Sequence, residues 1–152
     1  MSVEICHAEA AAWPEIARLV REAELPLAGA LDHLDQFLVA VRGDRVIGCI
    51  GLELYEGVAL LRSVAVAEGE SGRGIGKSLV TAQLARARNL GVAKIYLLTT
   101  TAATYFEKFG FHELRPEDAA PLLGASAEFQ GACPASATLM ELELRAVGPD
   151  HR

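Results

Sequence analysis

The sequence predicts an α+β fold built on a single mixed, mostly antiparallel sheet. Two β-like runs at 37–42 and 45–54 flank a tight turn at 43–44, and a largely apolar run follows at Val58–Val66, which indicates three consecutive antiparallel strands. A helical stripe then separates that run from another at 93–98. Because a strand, helix, strand order implies a right-handed crossover, these two strands form a central parallel pair.

The amino-terminal elements follow from the spacing of apolar residues. Residues 3–6 predict a short strand, and apolar side chains at three-to-four spacing predict an amphipathic helix at 8–24, with Pro14 tolerated near its start. Pro26 and Gly29 end this helix.

One long helix and several shorter elements are predicted in the second half of the chain. Apolar residues within 75–90 fall on one helical stripe. Residues 103–109 predict a short helix, 111–114 a short strand and 137–144 the last strand, whereas 116–136 has no clear assignment.

Length and composition indicate one domain. The chain has 152 residues, of which 51% are hydrophobic and 22% charged, as in an ordinary globular domain. We expect a single domain at 1–145 and a carboxy-terminal tail at 146–152. The net charge of −6, with no basic cluster, argues against nucleic acid as a partner.

The sequence favours a cytoplasmic location without a membrane or metal partner. The first thirty residues lack an evident secretory signal, and no run approaches the ~20 apolar residues of a membrane span. Cys6, Cys49 and Cys133 are widely separated, which argues against a disulfide framework and favours a reducing compartment. The four histidines show no metal-ligand spacing.

A Gly-rich turn before the long helix is the candidate ligand site. Gly72, Gly74 and Gly76 have no Cβ, so backbone amides can approach an anion closely, and they open onto a helix N-terminus with unpaired N–H groups. Arg73 and Lys77 add positive charge at the rim. Glycines alone fit a plain turn nearly as well, but a strand before and a helix after favour phosphate binding.

Two classes of nucleotide-binding protein fit this turn poorly. The run Gly76-Lys77-Ser78 is similar to the end of a P-loop, yet Ser71 stands where that pattern requires Gly, and the next strand ends without an acid for magnesium. A dinucleotide-binding fold requires the spacing Gly-x-Gly-x-x-Gly, whereas this turn has Gly-x-Gly-x-Gly. The acid that such a fold has after the following strand is also absent from the sequence. A small ATP- or GTP-binding protein stays an alternative, with magnesium-dependent affinity as its prediction.

The turn resembles that of a third class, the GNAT N-acetyltransferases. Their signature is Arg or Gln, two residues, Gly, one residue, then Gly or Ala, and here residues 71–76 run Ser-Gly-Arg-Gly-Ile-Gly. Residues 106–111, Phe-Glu-Lys-Phe-Gly-Phe, are similar to the superfamily's Tyr-Glu-Lys-x-Gly-Phe segment. The resemblance implies helices on both faces of the sheet and acetyl-CoA as co-substrate. A non-catalytic acyl-CoA binding or sensing module is the alternative function.

A finer resemblance concerns the acceptor. Residues 60–66, 96–102 and 128–136 are similar to the acetyltransferases associated with bacterial arsenic-resistance gene clusters. This implies transfer of an acetyl group to the primary amine of a small molecule, such as an amino-acid-like arsenical or phosphinate. A homodimer through a sheet edge or the terminal strand is compatible with the same resemblance.

The GNAT resemblance also implies where acetyl-CoA binds. The strand ending at 64–66 splays from the parallel strand ending near Thr99, and the pantetheine arm lies in the gap, where one backbone N–H polarises the thioester carbonyl. The pyrophosphate lies on the Gly-rich turn. The residues expected to bind acetyl-CoA are Val64, Ala65, Val66, Ser71, Gly72, Arg73, Gly74, Ile75, Gly76, Lys77, Ser78, Thr99 and Phe106.

Candidate catalytic residues come from the same resemblance. Glu53 and Glu56 are the acids placed to serve as general base, although a solvated strand edge explains each equally well. Phe106 stands where the superfamily commonly has the Tyr that protonates the departing thiolate. Tyr105 is the neighbouring candidate, although it lies about 100° around the helix. Departure without an acid is the alternative, because a thiol of pKa ~8.5 leaves a tolerable anion.

Arg62 and Phe129 are candidates for acceptor binding. Arg62 is a charge within an apolar strand, where it could hold a substrate carboxylate in a bidentate contact or pair with a structural acid. Phe129 is expected to line or close the acceptor pocket, with plain packing as the alternative.

Overall fold

The sheet has the predicted mixed topology. The computed structural model describes residues 2–70, 72–129 and 136–144. Its strands are β1 Val3–His7, β2 Leu38–Arg42, β3 Arg45–Leu54, β4 Val58–Val66, β5 Lys94–Thr99, β6 His112–Glu113 and β7 Thr138–Glu143. Within the described residues they form one seven-stranded sheet in the order β1-β2-β3-β4-β5-β7-β6. The β4/β5 pair is parallel and the other neighbouring strands are antiparallel.

The predicted helices are present with adjusted bounds. They are α1 Trp13–Glu22, α2 Ile75–Asn89 and α3 Ala103–Glu107, with short 3-10 helices at Ala10–Ala12, Leu31–Gln36, Pro116–Asp118 and Pro121–Ala125. The first helix begins later than predicted because residues 10–12 form a tighter 3-10 turn. The predicted tail at 146–152 and the boundary at residue 145 lie outside the described residues, so the domain limits stay a prediction.

The helices cover both faces of the sheet, as predicted. Neighbouring residues of a strand point to opposite faces, and Leu38 and Val39 of β2 belong to different apolar clusters. Leu38 shares its cluster with Leu79 of α2, whereas Val39 shares its cluster with Ile16 of α1. Helix α3 adds Phe106 to the α2 side.

Strands β4 and β5 diverge, as the resemblance implied. Their ladder pairs residues 58–60 with 94–96 and then ends. On its other edge β4 carries a bulge, because the register with β3 passes from Gly51↔Arg62 to Cys49↔Ala65. Ser63 in this bulge has a φ of 59°, a left-handed conformation that costs a non-Gly residue about 1–2 kcal/mol. Since a bulge bends its strand, β4 turns away from β5 and the sheet opens.

Gly51 is required by the close approach of the Phe37 ring. A Cβ at Gly51 would lie 2.5 Å from Phe37 Cζ. We expect Gly51→Ala to lower the free energy of unfolding by about 1–3 kcal/mol, as overpacking does in other cores. Urea denaturation measures this change.

A double-mutant cycle provides the control for this prediction. In a Phe37→Leu background the ring that obstructs the new methyl group is gone, so Gly51→Ala should cost less there. An equal cost in both backgrounds would show that the Phe37 ring is not the constraint.

Candidate active site

A cavity of about 340 Å³ lies in the gap between β4 and β5. Its walls are residues 61–64 of β4, residues 97–102 at and beyond the end of β5, part of α3, and the loop that follows α1. The divergence of the two strands therefore creates the chamber that the resemblance assigned to the pantetheine arm.

The Gly-rich turn lies at the start of α2 with an open surface. Gly72 and Gly74 are exposed, with φ values of 84° and 77°, and a Cβ built on either meets no atom within 4 Å. Gly74 is the N-cap residue, so the N–H groups of the first helical turn point out beyond it. The side chain of Ile75 is buried in the core, which leaves only its backbone to face a ligand. Ser71 lies outside the described residues.

The charges around this turn suit an anion. Glu70 precedes the turn, but its carboxylate receives hydrogen bonds of 2.6 and 2.7 Å from Arg42, which hold its pKa below the usual range. Arg73 is exposed and only loosely paired, with Nε 4.0 Å from Glu70. Lys77 and Ser78 are exposed on the first turn of α2. One acid is thus neutralised while two cations remain at the rim.

The predicted residues on β4 and β5 divide between cavity and core. Val64 and Thr99 line the cavity, whereas Ala65 is buried against α1 and Val66 packs against the α2 side. Thr99 also accepts a hydrogen bond from the Ala102 N–H at 3.0 Å, which turns the chain into α3. Beyond residue 60 the edge of β4 that faces the gap has left the ladder with β5.

Tyr105 and Phe106 both line the cavity, although they are neighbours on a short helix. The Tyr105 hydroxyl lies 3.4 Å from the position of a Cβ on Gly76, so it reaches the first turn of α2. Burial raises the pKa of Tyr105. The phenol therefore keeps its proton at neutral pH and can donate it.

Arg62 is paired with structural groups, as in the second of the two alternatives that the sequence left open. Its guanidinium makes four hydrogen bonds: Nε to Ser63 Oγ at 3.0 Å, Nη1 to the Ala28 carbonyl at 2.9 Å and to Glu53 at 2.7 Å, and Nη2 to the Pro26 carbonyl at 3.0 Å. The side chain is fully buried. It lines the cavity, but it has no free bidentate face for a substrate carboxylate.

Glu53 is committed to the same network rather than to the cavity. It is fully buried and accepts hydrogen bonds from Arg62 and, at 2.6 Å, from the Tyr55 hydroxyl. Burial alone would raise the pKa of Glu53, but these bonds and one from Ser126 hold it below the usual range. The geometry disfavours Glu53 as the general base. Glu56 is exposed in the turn after β3 and also does not line the cavity.

Glu128 is the acid that the sequence reasoning missed. It lines the cavity, is 4% exposed, and lies 3.4 Å from Arg62 Nη2. Burial raises the pKa of Glu128 to about 7, with Arg62 opposing the shift and Glu53 adding to it. One feature of the sequence does single it out: Glu128 is the only charged residue between Asp118 and Glu141.

Phe129 packs away from the cavity. It joins a small cluster around Leu60, Tyr96 and Leu139, and its N–H donates to Ser126 Oγ at 3.4 Å. Its predicted contact with the acceptor gains no support from this position, and the packing alternative fits better. Its neighbour Glu128, on the same short segment, faces the cavity instead.

The described residues also bear on metal binding, membrane-spanning helices and free cysteines. In the ranges that the structure describes, no group of three or more His, Cys, Asp or Glu side chains could hold a metal ion, and no helix is long and apolar enough to cross a membrane. Cys6 is exposed and Cys49 is buried, with a pKa raised to about 12 by burial. Cys133 lies outside the described residues.

Comparison with known families agrees with this geometry. A family model described as an acetyltransferase (GNAT) domain matches residues 33–113, more than half of the chain. The protein therefore belongs to the GNAT acetyltransferase family.

Two curated relatives match the same share of the chain. An uncharacterized N-acetyltransferase of Chlorobaculum tepidum is 33% identical over 88 residues, which are 57% of this chain and 56% of the relative. An amino-acid acetyltransferase of Aeromonas salmonicida is 31% identical over 88 residues, or 57% of this chain and 20% of the relative. The match thus spans about half of the first relative and a fifth of the second.

A solved structure extends the likeness to nearly the whole fold. The N-acetylglutamate synthase of Neisseria gonorrhoeae, in complex with coenzyme A and N-acetyl-glutamate, superposes with a TM-score of 0.82. The alignment covers 95% of this chain and 36% of the synthase, at 19% sequence identity. At this identity the comparison establishes a shared fold.

The buried Glu128 carboxyl predicts a specific pH dependence of stability. Its folded pKa of about 7 exceeds the ordinary value of 4.5, so the folded chain binds more protons than the unfolded chain between these values. The free energy of unfolding should therefore fall as pH rises through this window, by up to ~3 kcal/mol from this group. Denaturant unfolding at several pH values measures the decline.

The matched variant for this test is Glu128→Gln, which cannot ionise. Its stability should not show this decline, so the variant should be more stable than the wild type at pH 8. A decline of the same size in both proteins would assign the effect to another group.

Proposed function

We propose that the protein is an acetyl-CoA-dependent N-acetyltransferase that acts on the primary amine of a small molecule. The observation that carries this proposal is the juxtaposition of the open β4/β5 cavity with the anion-binding turn at the start of α2. Tyr105 joins the two, because it lines the cavity while its hydroxyl lies against Gly76. Family membership supports the same activity.

The residues of the turn fit the pyrophosphate of acetyl-CoA. At Gly72 and Gly74 the positive φ favours glycine, and the open space around both residues leaves room for a ligand. Arg73 and Lys77 supply positive charge, and the N-terminus of α2 adds the dipole of a 15-residue helix. The missing side-chain contact at Ser71 does not remove these backbone donors. These features support the assignment of residues 72–78 to an anion site.

The cavity residues suit the acyl end of the same co-substrate. Acetyl-CoA supplies an activated acetyl thioester. The gap-facing edge of β4 at 64–66 offers backbone groups to the pantetheine arm, and a backbone N–H there can stabilise the oxyanion. Tyr105 holds a proton near neutral pH and donates it to the departing thiolate. Phe106 lies beside Tyr105 in the wall, but its side chain has no proton to donate. We therefore assign this role to Tyr105.

An amino-acid-like acceptor is the finer part of the proposal. It is supported by the curated relative named an amino-acid acetyltransferase and by the fold shared with an N-acetylglutamate synthase. The resemblance of 60–66, 96–102 and 128–136 to arsenic-associated acetyltransferases extends the candidates to arsenical and phosphinate amino acids. The cytoplasmic location and the homodimer stay predictions.

Thiol release tests this function directly. We expect coenzyme A to be released from acetyl-CoA only when an amine acceptor is present, which a thiol reagent follows by absorbance. The acceptor panel consists of the common amino acids, ethanolamine, and phosphinate and arsenical analogues of glutamate. Calorimetric binding of acetyl-CoA without release from any amine would favour the sensing module, and magnesium-dependent binding of ATP would favour the nucleotide-binding alternative.

Gly74→Glu tests the anion site. A carboxylate at the N-cap of α2 would place negative charge beside the pyrophosphate. Two like unit charges about 4 Å apart repel each other by about 4 kcal/mol at an effective dielectric of 20. We expect coenzyme A affinity to fall at least ~100-fold, measured by calorimetry.

Gly91→Glu is the control for this variant. Gly91 ends α2 with a φ of 84° and has equally open surroundings, so the same substitution imposes similar backbone strain far from the turn. Its coenzyme A affinity should match the wild type. Equal losses in the two variants would assign the effect to strain instead of to charge at the turn.

A further inference from the structure

We propose that Glu128 is the general base of the reaction: it binds the ammonium group of the acceptor in the β4/β5 cavity and removes the proton that must leave before the nitrogen attacks. This inference rests on the proposed acetyltransferase function and names the chemistry that selects its acceptor. The acceptor is a primary amine that enters as a cation.

The position of Glu128 leaves its carboxylate available to a ligand. The side chain lines the cavity and is 4% exposed, so a group that contacts it is largely shielded from bulk water. Its contact within the described residues is the ion pair with Arg62 Nη2 at 3.4 Å, and no hydrogen bond from those residues reaches its oxygens. A buried carboxylate without hydrogen bonds gains most from a donor that carries positive charge.

The charge balance of the site favours a cation at this point. Glu53 and Arg62 neutralise each other at 2.7 Å, so that, within the described residues, Glu128 is the acid of the network whose charge is not balanced. Glu24 adds a second acid to the cavity wall, and Arg62 is the cation among the described residues that line it. Residues 130–135 carry no charged side chain in the sequence, so that segment adds no cation.

The proton affinity of Glu128 suits a base that works near neutral pH. Burial raises its pKa to about 7, Arg62 of β4 opposes the shift, and the negative charge of Glu53 on β3 adds to it. Among the described residues, the other ionisable groups in the cavity wall are Glu24, from the loop after α1, and Tyr105 of α3. A general base is most effective when its pKa lies near the operating pH.

The protons and bonds of the step balance without a further reactant. The Glu128 carboxylate accepts one proton from the acceptor ammonium and later releases it to solvent. The neutral nitrogen forms a C–N bond to the acetyl carbonyl carbon, and the C–S bond of the thioester breaks. The second proton lost by the nitrogen goes to solvent, and the departing sulfur takes a proton from Tyr105, which solvent reprotonates.

The test compares Glu128→Gln with the wild type across pH 6 to 10, using the acceptor of highest kcat/KM from the thiol-release panel. For the wild type, kcat/KM should rise through a pKa near 7. For Glu128→Gln it should be lower by roughly 10²–10⁴-fold at pH 7. The deficit should shrink at least tenfold towards pH 10, where solvent itself deprotonates the amine.

Three controls separate this role from a structural one. Glu128→Asp should retain part of the activity, and its kcat/KM should still rise through a pKa near neutral pH. Glu113→Gln, on the exposed edge strand β6, should match the wild type. Acetyl-CoA affinity of Glu128→Gln, measured by calorimetry, should be unchanged, which shows that the variant is folded.

The possible failures are distinguishable. Suppose the wild type releases thiol, but the kcat/KM of Glu128→Gln is within threefold of the wild-type value or is lower by the same factor at every pH. Then Glu128 is not the base, while the acetyltransferase function stands. If the wild type releases no thiol with any amine, the proposed function itself fails, and the inference fails with it.

Discussion

The hydrogen bonds of Arg62 are the interaction on which the site depends. One buried guanidinium joins the bulge of β4 through Ser63, strand β3 through Glu53, and the loop after α1 through the carbonyls of residues 26 and 28. Glu128 is drawn to the same group by an ion pair. Four separate parts of the chain thus meet at one side chain, and three of them line the cavity.

This network shapes the site more than it stabilises the fold. Desolvation offsets much of the attraction in a buried ion pair, so such pairs add little net stability, although removal of one partner is costly. Here the network holds Ser63 in its left-handed conformation, because Arg62 Nε donates to its hydroxyl and Cys49 Sγ donates to its carbonyl. The bulge in turn bends β4 away from β5. The shape of the proposed site therefore depends on a backbone irregularity that polar side chains maintain.

Local and distant contacts contribute differently to the proposed chemistry. The anion site at α2 is local, since its glycines, helix N-terminus and cations all lie within one short segment. The proposed proton-transfer site is assembled from distant segments. The environment of Glu128 depends on β3, β4 and the loop after α1, which meet at Arg62. Glu53 and Glu128 have opposite pKa shifts although both contact Arg62, because Glu53 accepts hydrogen bonds from Tyr55 and Ser126 whereas Glu128 has only the ion pair among the described residues.

The sequence by itself determined the mixed sheet, the order of its strands along the chain and the Gly-rich turn, because periodicity and glycine placement are local properties of the chain. It left open whether Arg62 binds a substrate or a structural acid, and it gave Glu53 and Glu56 as candidate bases. Only the tertiary structure shows the pairing of Arg62 with Glu53 and with carbonyls 34 and 36 residues away, and the burial of Glu128 beside a guanidinium more than 60 residues distant in the chain. The ionisation of a carboxyl depends on its neighbours in space, which residue spacing does not encode.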